Sequence, residues 1–160
     1  CCGVSIGRNY NVGLDLINRE IVDTLQIYFS LIDFNAIKKL LPLAKQKGVG
    51  IIVGEPLAQG FLSGKYKMNQ TFPKTDSRSR YPKKLILKLL SRSKEFQIMT
   101  TDNMKLNQLA LSYILNRDEI STCVPSSKNI SQLKSNIDST KIKLTESDLE
   151  KIEKIQSAFY

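Results

Sequence analysis

The chain has 160 residues, of which 24 are Lys or Arg and 15 are Asp or Glu, giving a formal net charge of +9. A hydrophobic fraction of 41% and a charged fraction of 24% are typical of a folded globular protein and exclude an intrinsically disordered one. The sequence has no histidine and only three cysteines, which excludes zinc fingers, His-based nucleophilic triads and a cysteine–histidine metal site.

No apolar run approaches the ~18 residues that span a bilayer, and no signal-peptide pattern opens the sequence, so we expect no membrane partner. Cys1 and Cys2 are adjacent and Cys123 falls in a predicted strand, which is a poor framework for disulfides. We therefore expect a reducing, cytoplasmic location. The sequence begins at Cys1 and its first methionine is Met68, so we expect its N-terminus to be incomplete.

Short apolar runs alternate with helical patterns along the chain. Strands are predicted over residues 3–5, 24–28, 50–53 and 121–124. Helices are predicted over residues 11–18, 36–47, 83–96, 104–115, 130–137 and 146–159. Leu14, Ile17 and Ile21 are expected on the inward face of the first helix, and Gly48 ends the second. Thr145 and Asp148 are spaced as a capping box for the last helix.

Continuous apolar strands alternating with helices predict an α/β protein whose parallel sheet is buried on both faces. The pattern alone is equally compatible with a doubly wound sheet and with half of a barrel. We predict one domain over residues 1–160, with a lid-like loop and a basic helix inserted over residues 67–97 after the third strand. Because ligands bind at the C-terminal ends of parallel strands, the four loops there are expected to converge on one ligand.

Residues 78–94 form a strongly basic stretch without any acidic residue. Its basic members are Arg78, Arg80, Lys83, Lys84, Lys88, Arg92 and Lys94. Such a stretch is either a footprint for polyanions or a solvated surface helix. No aromatic residues alternate with the charges as in single-strand binders, so we favour the surface helix and do not expect a nucleic-acid partner.

The stretch PLAQGFLSGK, residues 56–65, follows the third strand directly. It resembles the pyrophosphate-embracing loop after the seventh strand of the aldo/keto reductase barrel, and the resemblance extends over residues 3–155. It implies the C-terminal half of a TIM (β/α)8 barrel, about four βα units plus a C-terminal helix. It also implies an NADP(H)-dependent oxidoreductase that reduces a small-molecule carbonyl substrate by hydride transfer. That family carries its catalytic tyrosine, lysine, aspartate and histidine in the other half, so this chain is expected to be a fragment without catalytic residues, inactive alone.

The same resemblance implies a nicotinamide site at the ends of the first three strands. Ser5 and Gln26 would hold the carboxamide, and Ile6 stands where the family usually has an asparagine. Gly54 stands where many members have an aromatic that stacks on the nicotinamide, and Glu55 where a small residue is common. A carboxylate beside a pyrophosphate is unfavourable unless it turns away or pairs with a lysine.

The phosphates are expected on the loop that follows. Its candidate ligands are Pro56, Leu57, Ala58, Gly60, Ser63 and Lys65. Small residues let the backbone approach phosphate oxygens, N–H and hydroxyl groups can donate to them, and the lysine adds a charge. Residues 76–80 resemble part of the family's lid, where Arg78 or Arg80 either reaches the cofactor or belongs to an exposed basic loop.

The adenosine end is expected after the fourth strand. The resemblance places Ser126, Ser127, Lys128, Gln132 and Asn136 there. Ser126 and Lys128 would contact the 2′-phosphate, Gln132 the adenosine end and Asn136 the adenine, beside the positive N-terminus of a helix. Ser126 and Gln132 supply less charge than the lysine and arginine common in the family, so NADPH is favoured and NAD is the alternative.

A different class of function is a non-catalytic half-barrel that acts as a nucleotide-binding or assembly module. Four βα units leave two exposed sheet edges, which favour pairing with other strands. Two copies would close into an eight-stranded barrel, or the chain would dock with an N-terminal half-barrel encoded separately.

Overall fold

The computed structural model describes residues 1–159. Four parallel strands pair in the order β1-β2-β3-β4, namely β1 (Gly3–Gly7), β2 (Thr24–Tyr28), β3 (Gly50–Gly54) and β4 (Thr122–Cys123). The α-helices are α1 (Tyr10–Asn18), α2 (Leu40–Lys47), α3 (Lys83–Glu95), α4 (Leu106–Leu115), α5 (Ile130–Asp138) and α6 (Glu146–Ser157). The predicted parallel α/β organisation is therefore confirmed.

The two faces of the sheet differ in burial. Leu25 and Ile27 of β2 are fully buried, as are Ile51 and Val53 of β3, and they belong to the main hydrophobic core. The opposite face carries smaller or polar residues such as half-buried Gln26 and exposed Ser5. The prediction that both faces are buried is wrong within residues 1–159, because alternate strand positions hold residues that cannot form a dry core.

The first helix ends at Asn18, as predicted, but one residue expected on its inward face does not turn inward. Ile17 is fully buried and Leu14 is half-buried, as predicted, but Ile21 is 47% exposed. The chain leaves helical geometry after Asn18, and Glu20 adopts a left-handed backbone with φ 55°. Ile21 therefore falls outside the helical period that would have turned it inward.

The second predicted helix is divided in two. Asn35–Lys38 forms a short 3₁₀ helix, and α2 begins only at Leu40. Pro42 explains the break, because proline lacks an N–H and its ring clashes with the carbonyl four residues earlier. Proline is tolerated in the first turn of a helix, which is where Pro42 lies in α2. Gly48 ends α2 in a left-handed conformation, as predicted.

The strand and helices after residue 100 form where they were predicted, but some of them begin or end at other residues. The fourth strand is confirmed but is only two residues long, and α4 begins at Leu106 rather than at residue 104. Thr145 and Asp148 form the predicted capping box, with the Thr145 hydroxyl accepting from the Asp148 amide at 3.2 Å. None of the helices within residues 1–159 is long and apolar enough to cross a membrane.

The loop predicted as a lid is packed against the chain that follows β3. The Phe72 ring meets Phe61 edge-on at 5.9 Å between centroids and Tyr66 at 5.4 Å. Phe61 is fully buried in the 3₁₀ turns over Ala58–Ser63. The lid and the phosphate-loop candidate thus share one aromatic cluster.

Candidate functional site

The structure brings the predicted carboxamide-binding residues together on the uncovered face of the sheet. Ser5 of β1 and Gln26 of β2 are register partners. A methyl group placed on Gly54 would lie 3.1 Å from Nε2 of Gln26, so the Gln26 amide points toward the end of β3. These three positions form one surface that offers a hydroxyl and an amide to a ligand.

Tyr28 lies on the same face, two residues after Gln26, and was not among the predicted site residues. A methyl group on Gly54 would lie 3.3 Å from its ring, and one on Gly7 would lie 3.5 Å from it. The alternation of side chains along a strand could have placed Tyr28 beside Gln26, and the glycines that end β1 and β3 could have indicated room for a ring.

A charged cluster joins the loops after β1, β2 and β3. Arg8 Nε lies 2.6 Å from Oδ2 of Asp33, and Arg8 Nη2 lies 3.1 Å from Oε2 of Glu55. Gln59 also donates to Glu55. Partial burial opposes the charge of Arg8, but hydrogen bonds and attraction from the two carboxylates outweigh it and raise the Arg8 pKa. The expected partner for Glu55 was a lysine; the structure provides Arg8 instead.

A groove of about 450 Å³ opens beside this cluster. Arg8, Asp33 and Glu55 line one side of it, and Leu85 and Lys88 of α3 line another. Loops from three successive strands and the inserted helix therefore enclose a space next to the Gln26 surface. Neither the groove nor the Arg8 cluster was predicted, because their members are far apart in sequence.

The phosphate-loop candidate is a tight turn with a left-handed backbone. Ala58, Gln59 and Gly60 have φ values of 48°, 57° and 86°. The amide of Ala58 donates to the Glu55 carbonyl at 2.8 Å, and that of Gly60 donates to the Leu57 carbonyl at 2.9 Å. The expectation that the Ala58 and Gly60 amides bind phosphate needs correction, because both already bond within the turn.

Ser63 and Lys65 remain suited to an anion. Ser63 Oγ is a buried oxygen that has no hydrogen-bond partner among the described residues. Lys65 is exposed, with its Nζ 4.8 Å from the centroid of the Tyr66 ring. Because an unpaired buried hydroxyl costs free energy, a ligand oxygen at Ser63 would be stabilising, and in this respect the residues fit a phosphate group.

Arg78 holds the phosphate loop in place. It is 9% exposed, and its Nη1 donates to the Gln59 carbonyl at 2.7 Å while its Nη2 lies 2.6 Å from Oδ2 of Asp76. Its guanidinium also stacks on Phe72, 4.3 Å from the ring centroid. The sequence left two alternatives for Arg78: that it reaches the cofactor or that it belongs to an exposed basic loop. Neither applies, because Arg78 is buried and already paired within the protein. Arg80 is exposed.

The carboxylate of Asp76 is held in its charged form. Hydrogen bonds from Arg78 hold the Asp76 pKa well below its usual range, and the positive charge of Lys128 contributes to the same shift.

At the start of α5, the predicted adenosine-side residues bond mainly with one another. Asn129 caps the helix by accepting from the Gln132 amide at 2.9 Å, and Gln132 Oε1 accepts from the Lys128 amide at 2.9 Å. Ser126 and the Lys128 side chain are exposed.

Asn136 lies deeper than an adenine contact requires. It is 7% exposed, its Nδ2 donates to Ser127 Oγ at 3.0 Å, and its Oδ1 accepts from Asn107 at 3.1 Å. Gln132 and Asn136 thus organise this loop, and their contacts with a cofactor stay predictions.

Part of the basic stretch serves the fold. Arg92 donates to the Ile32 carbonyl at 3.2 Å and to the Phe159 carbonyl at 2.8 Å. The remaining basic side chains are exposed, namely Arg80, Lys83, Lys84, Lys88 and Lys94. Because Arg78 is also bonded internally, the surface open to a polyanion is smaller than the sequence suggested.

Comparison with known sequences finds aldo-keto reductases among the relatives of this chain. The aldo-keto reductase yakc of Schizosaccharomyces pombe, whose name carries NADP(+), is 29% identical over 117 residues, 71% of this chain and 34% of that protein. The aldo-keto reductase str7 of Strobilurus tenacellus is 31% identical over 122 residues, 72% of this chain and 36% of that protein. The chain thus spans about a third of the length of these curated relatives.

Solved structures with a similar fold are aldo-keto reductases as well. One from Bacillus halodurans, in its holo form, has a TM-score of 0.69 at 24% identity. The match covers 96% of this chain and 49% of the solved chain. The glycerol dehydrogenase of Gluconobacter oxydans has a TM-score of 0.71 at 23% identity. The match covers 88% of this chain and 45% of the solved chain. The predicted partial TIM barrel is therefore confirmed. The profile of the Aldo/keto reductase family matches residues 18–157, and the chain belongs to this family.

Proposed function

We propose that this chain is the cofactor-binding part of an NADP(H)-dependent aldo/keto reductase that converts a carbonyl to an alcohol. One observation carries the proposal: Ser5, Gln26 and the end of β3 form one polar surface. That surface lies at the strand ends where ligands bind in this architecture. NADPH is favoured over NADH because Lys128 is an exposed cation at the proposed position of the 2′-phosphate, a group that NADH lacks.

The chain's own residues would bind and orient. The Ser5 hydroxyl and the Gln26 amide would hold a carboxamide, which fixes the orientation of the ring that bears it. The Ser63 hydroxyl and Lys65 would bind the pyrophosphate, and Lys128 the 2′-phosphate. When bound, the cofactor supplies the hydride. We assign no general acid to this chain, so it is expected to bind cofactor without reducing a carbonyl, and the cytoplasm stays the predicted location.

Titration of the full chain with NADPH, followed by nicotinamide fluorescence at low ionic strength, tests the proposal. We expect saturable binding that 2′,5′-ADP displaces. Lys128→Ala should weaken it about fivefold, because a charge-assisted hydrogen bond is worth about 1–2 kcal/mol even when partly exposed. Lys134→Ala removes an exposed lysine from α5, the helix that follows Lys128, and is the matched control.

Two results would contradict the proposal. Absence of saturable binding would reject the cofactor site, and equal effects of Lys128→Ala and Lys134→Ala would show general attraction by a basic protein. Reduction of an aldehyde by the pure chain, after control for contaminating reductases, would instead reject only the statement that it is inactive alone.

The exposed apolar residues favour assembly with a partner as a second candidate function. Ile130, Leu133 and Ile137 are 72%, 50% and 53% exposed and are spaced as one face of α5. Near β1, Val12 of α1 and Ile21 are 42% and 47% exposed. A sheet with two unpaired edges and a helix with an exposed apolar face favour an interface.

The occupant we propose for these edges is an N-terminal half-barrel of the same family. The chain covers about half of each matched structure, which is the portion that four further βα units would complete. Pairing with a second copy would bring together two chains of net charge +9 and is less favourable. Sedimentation of the pure chain in about 500 mM salt should show a monomer; a stable dimer, with its repulsion screened, would favour self-association instead.

A further inference from the structure

The Tyr28 ring occupies a space that two glycines leave open. A methyl group on Gly54 would approach ring carbon Cδ1 to 3.3 Å, and one on Gly7 would approach Cε2 to 3.5 Å. Tyr10 donates its hydroxyl hydrogen to the Tyr28 carbonyl at 2.8 Å, which holds the backbone below the ring. The ring is therefore fixed across the C-terminal ends of β1, β2 and β3, and it remains half-buried.

The neighbours of this ring match a flat ligand that carries an amide. Gln26 lies two residues earlier on the same face, with its Nε2 beside Gly54. The Arg8 guanidinium lies over one face of the ring, 5.1 Å from its centroid, and is anchored by Asp33 and Glu55, so a stacked ligand would use the opposite face. An aromatic surface and a carboxamide partner thus stand side by side, which suits a planar heteroaromatic ring with an amide substituent.

We propose that Tyr28 is the residue on which the nicotinamide ring stacks, while Gln26 holds its carboxamide. This inference rests on the proposed function and adds the residue that orients the reacting ring. It also explains Gly54, since a Cβ there would lie 3.1 Å from Gln26 Nε2 and 3.3 Å from the Tyr28 ring, closer than ordinary contacts, so that these side chains would have to shift. The aromatic surface at this site therefore comes from β2, and the end of β3 must stay small to admit it.

The test compares NADPH with 2′,5′-ADP, which lacks the nicotinamide, on the full chain. Tyr28→Leu should weaken NADPH binding about tenfold, which corresponds to about 1.4 kcal/mol, because the nicotinamide loses the aromatic ring on which it stacks. Binding of 2′,5′-ADP should not change. Tyr28→Phe keeps the ring and should bind both ligands within about twofold of the unaltered chain.

A second measurement uses the absence of tryptophan from the chain. In Tyr28→Trp, the new indole is the sole tryptophan, and NADP⁺ in contact with it should quench its emission, whereas 2′,5′-ADP should not. Adding Gly54→Ala to that variant should reduce the quenching by crowding the ring.

The outcomes separate this inference from the proposed function. If the unaltered chain binds neither ligand, the cofactor site is rejected and this inference with it. If it binds both and Tyr28→Leu leaves NADPH affinity unchanged, or lowers both affinities equally, the stacking role is rejected while the cofactor site stands. Indole emission from Tyr28→Trp that stays unquenched at saturating NADP⁺ would also overturn it.

Discussion

At the scale of single residues, the side chain of Asn136 already forms hydrogen bonds within the protein. Its amide bonds Ser127 on the loop before α5 and Asn107 on α4, so it ties two elements together. Asn107 also donates to Ser135, which extends the same network. Removing the buried Asn136 would take one partner from the half-buried Asn107 amide and one from the Ser127 hydroxyl, and the loss of these bonds costs free energy.

We therefore expect Asn136→Ala to lower the free energy of unfolding by about 1–3 kcal/mol. Urea unfolding followed by circular dichroism measures this, and Lys134→Ala on the same helix is the exposed control. The substitution should affect NADPH affinity only through stability. Unchanged unfolding together with much weaker NADPH binding would instead support the predicted adenine contact.

Cys123 gives a prediction about pH. Burial raises the pKa of its thiol to about 11 from an ordinary 9.0, so the folded chain holds the proton more tightly than the unfolded chain. The stability that this contributes is complete below pH 9 and is lost as the pH rises toward 11. Urea midpoints over that range should fall more steeply for the unaltered chain than for Cys123→Ala. Parallel profiles would show that Cys123 has no part in the alkaline loss.

The sequence predicted which residues lie together at the strand ends better than it predicted what each of them contacts. Ser5, Gln26 and Gly54 do meet at the strand ends, because the alternation and register of a parallel sheet follow from local sequence. Ala58 and Asn136 are explained by bonds within the protein. A motif names a polar group, but whether that group faces a ligand or a neighbouring carbonyl depends on packing that the motif does not contain.

At the scale of elements, Arg78 joins the inserted segment to the phosphate loop. It contacts the Gln59 carbonyl, Asp76 and the Phe72 ring at once. Gln59 has a left-handed backbone, and such a conformation persists only where neighbouring groups hold it. The lid segment thus stabilises the turn beside Ser63 rather than moving independently of it.

Arg78→Ala should therefore loosen residues 58–80. We expect faster cleavage of this segment in limited proteolysis and a loss of about 1–3 kcal/mol in the free energy of unfolding, since Asp76 and the Gln59 carbonyl both lose a partner. Arg80→Ala, an exposed arginine two residues away, is the matched control. Equal cleavage of the two variants would mean that Arg78 does not hold the loop.

Element ends were the least predictable part of the fold. The sequence indicated every strand and α-helix that the structure describes, because apolar periodicity is a strong signal. Pro42 could have placed the start of α2, since its steric effect on the preceding turn is known from sequence alone. The exposure of Ile21 could not have been predicted, because a left-handed residue other than glycine, such as Glu20, has no signature in the sequence.

At the scale of the whole molecule, the open edges should behave as apolar surface. Replacing Ile130 and Leu133 together by glutamine should lower the binding of an apolar fluorescent dye while changing the unfolding free energy by less than about 0.5 kcal/mol per site. Ile98→Gln removes one isolated apolar side chain that is 81% exposed and is the control. Strong destabilisation, or the same dye loss in the control, would show that α5 carries no separate apolar face.

The general architecture was within reach of the sequence, whereas the uncovered sheet face was not. Strands such as Ile51–Val53 read as continuous apolar runs, and β2 has polar residues only at Thr24 and Gln26. The polar side chains on this face, Ser5 and Gln26, become visible as a pair only when the register aligns the two strands.

The hydrogen bond from Gln156 of α6 to the Leu31 carbonyl joins positions 125 residues apart, whereas each strand pairs with the strand before it in sequence. As the polypeptide leaves the ribosome, β1 to β3 are therefore able to pair early, and the turn after β2 gains this bond only when residue 156 emerges. That turn carries Asp33, which anchors Arg8 beside Tyr28. We therefore expect the turn that carries Asp33 to become rigid only late in synthesis, after the sheet beside it has formed.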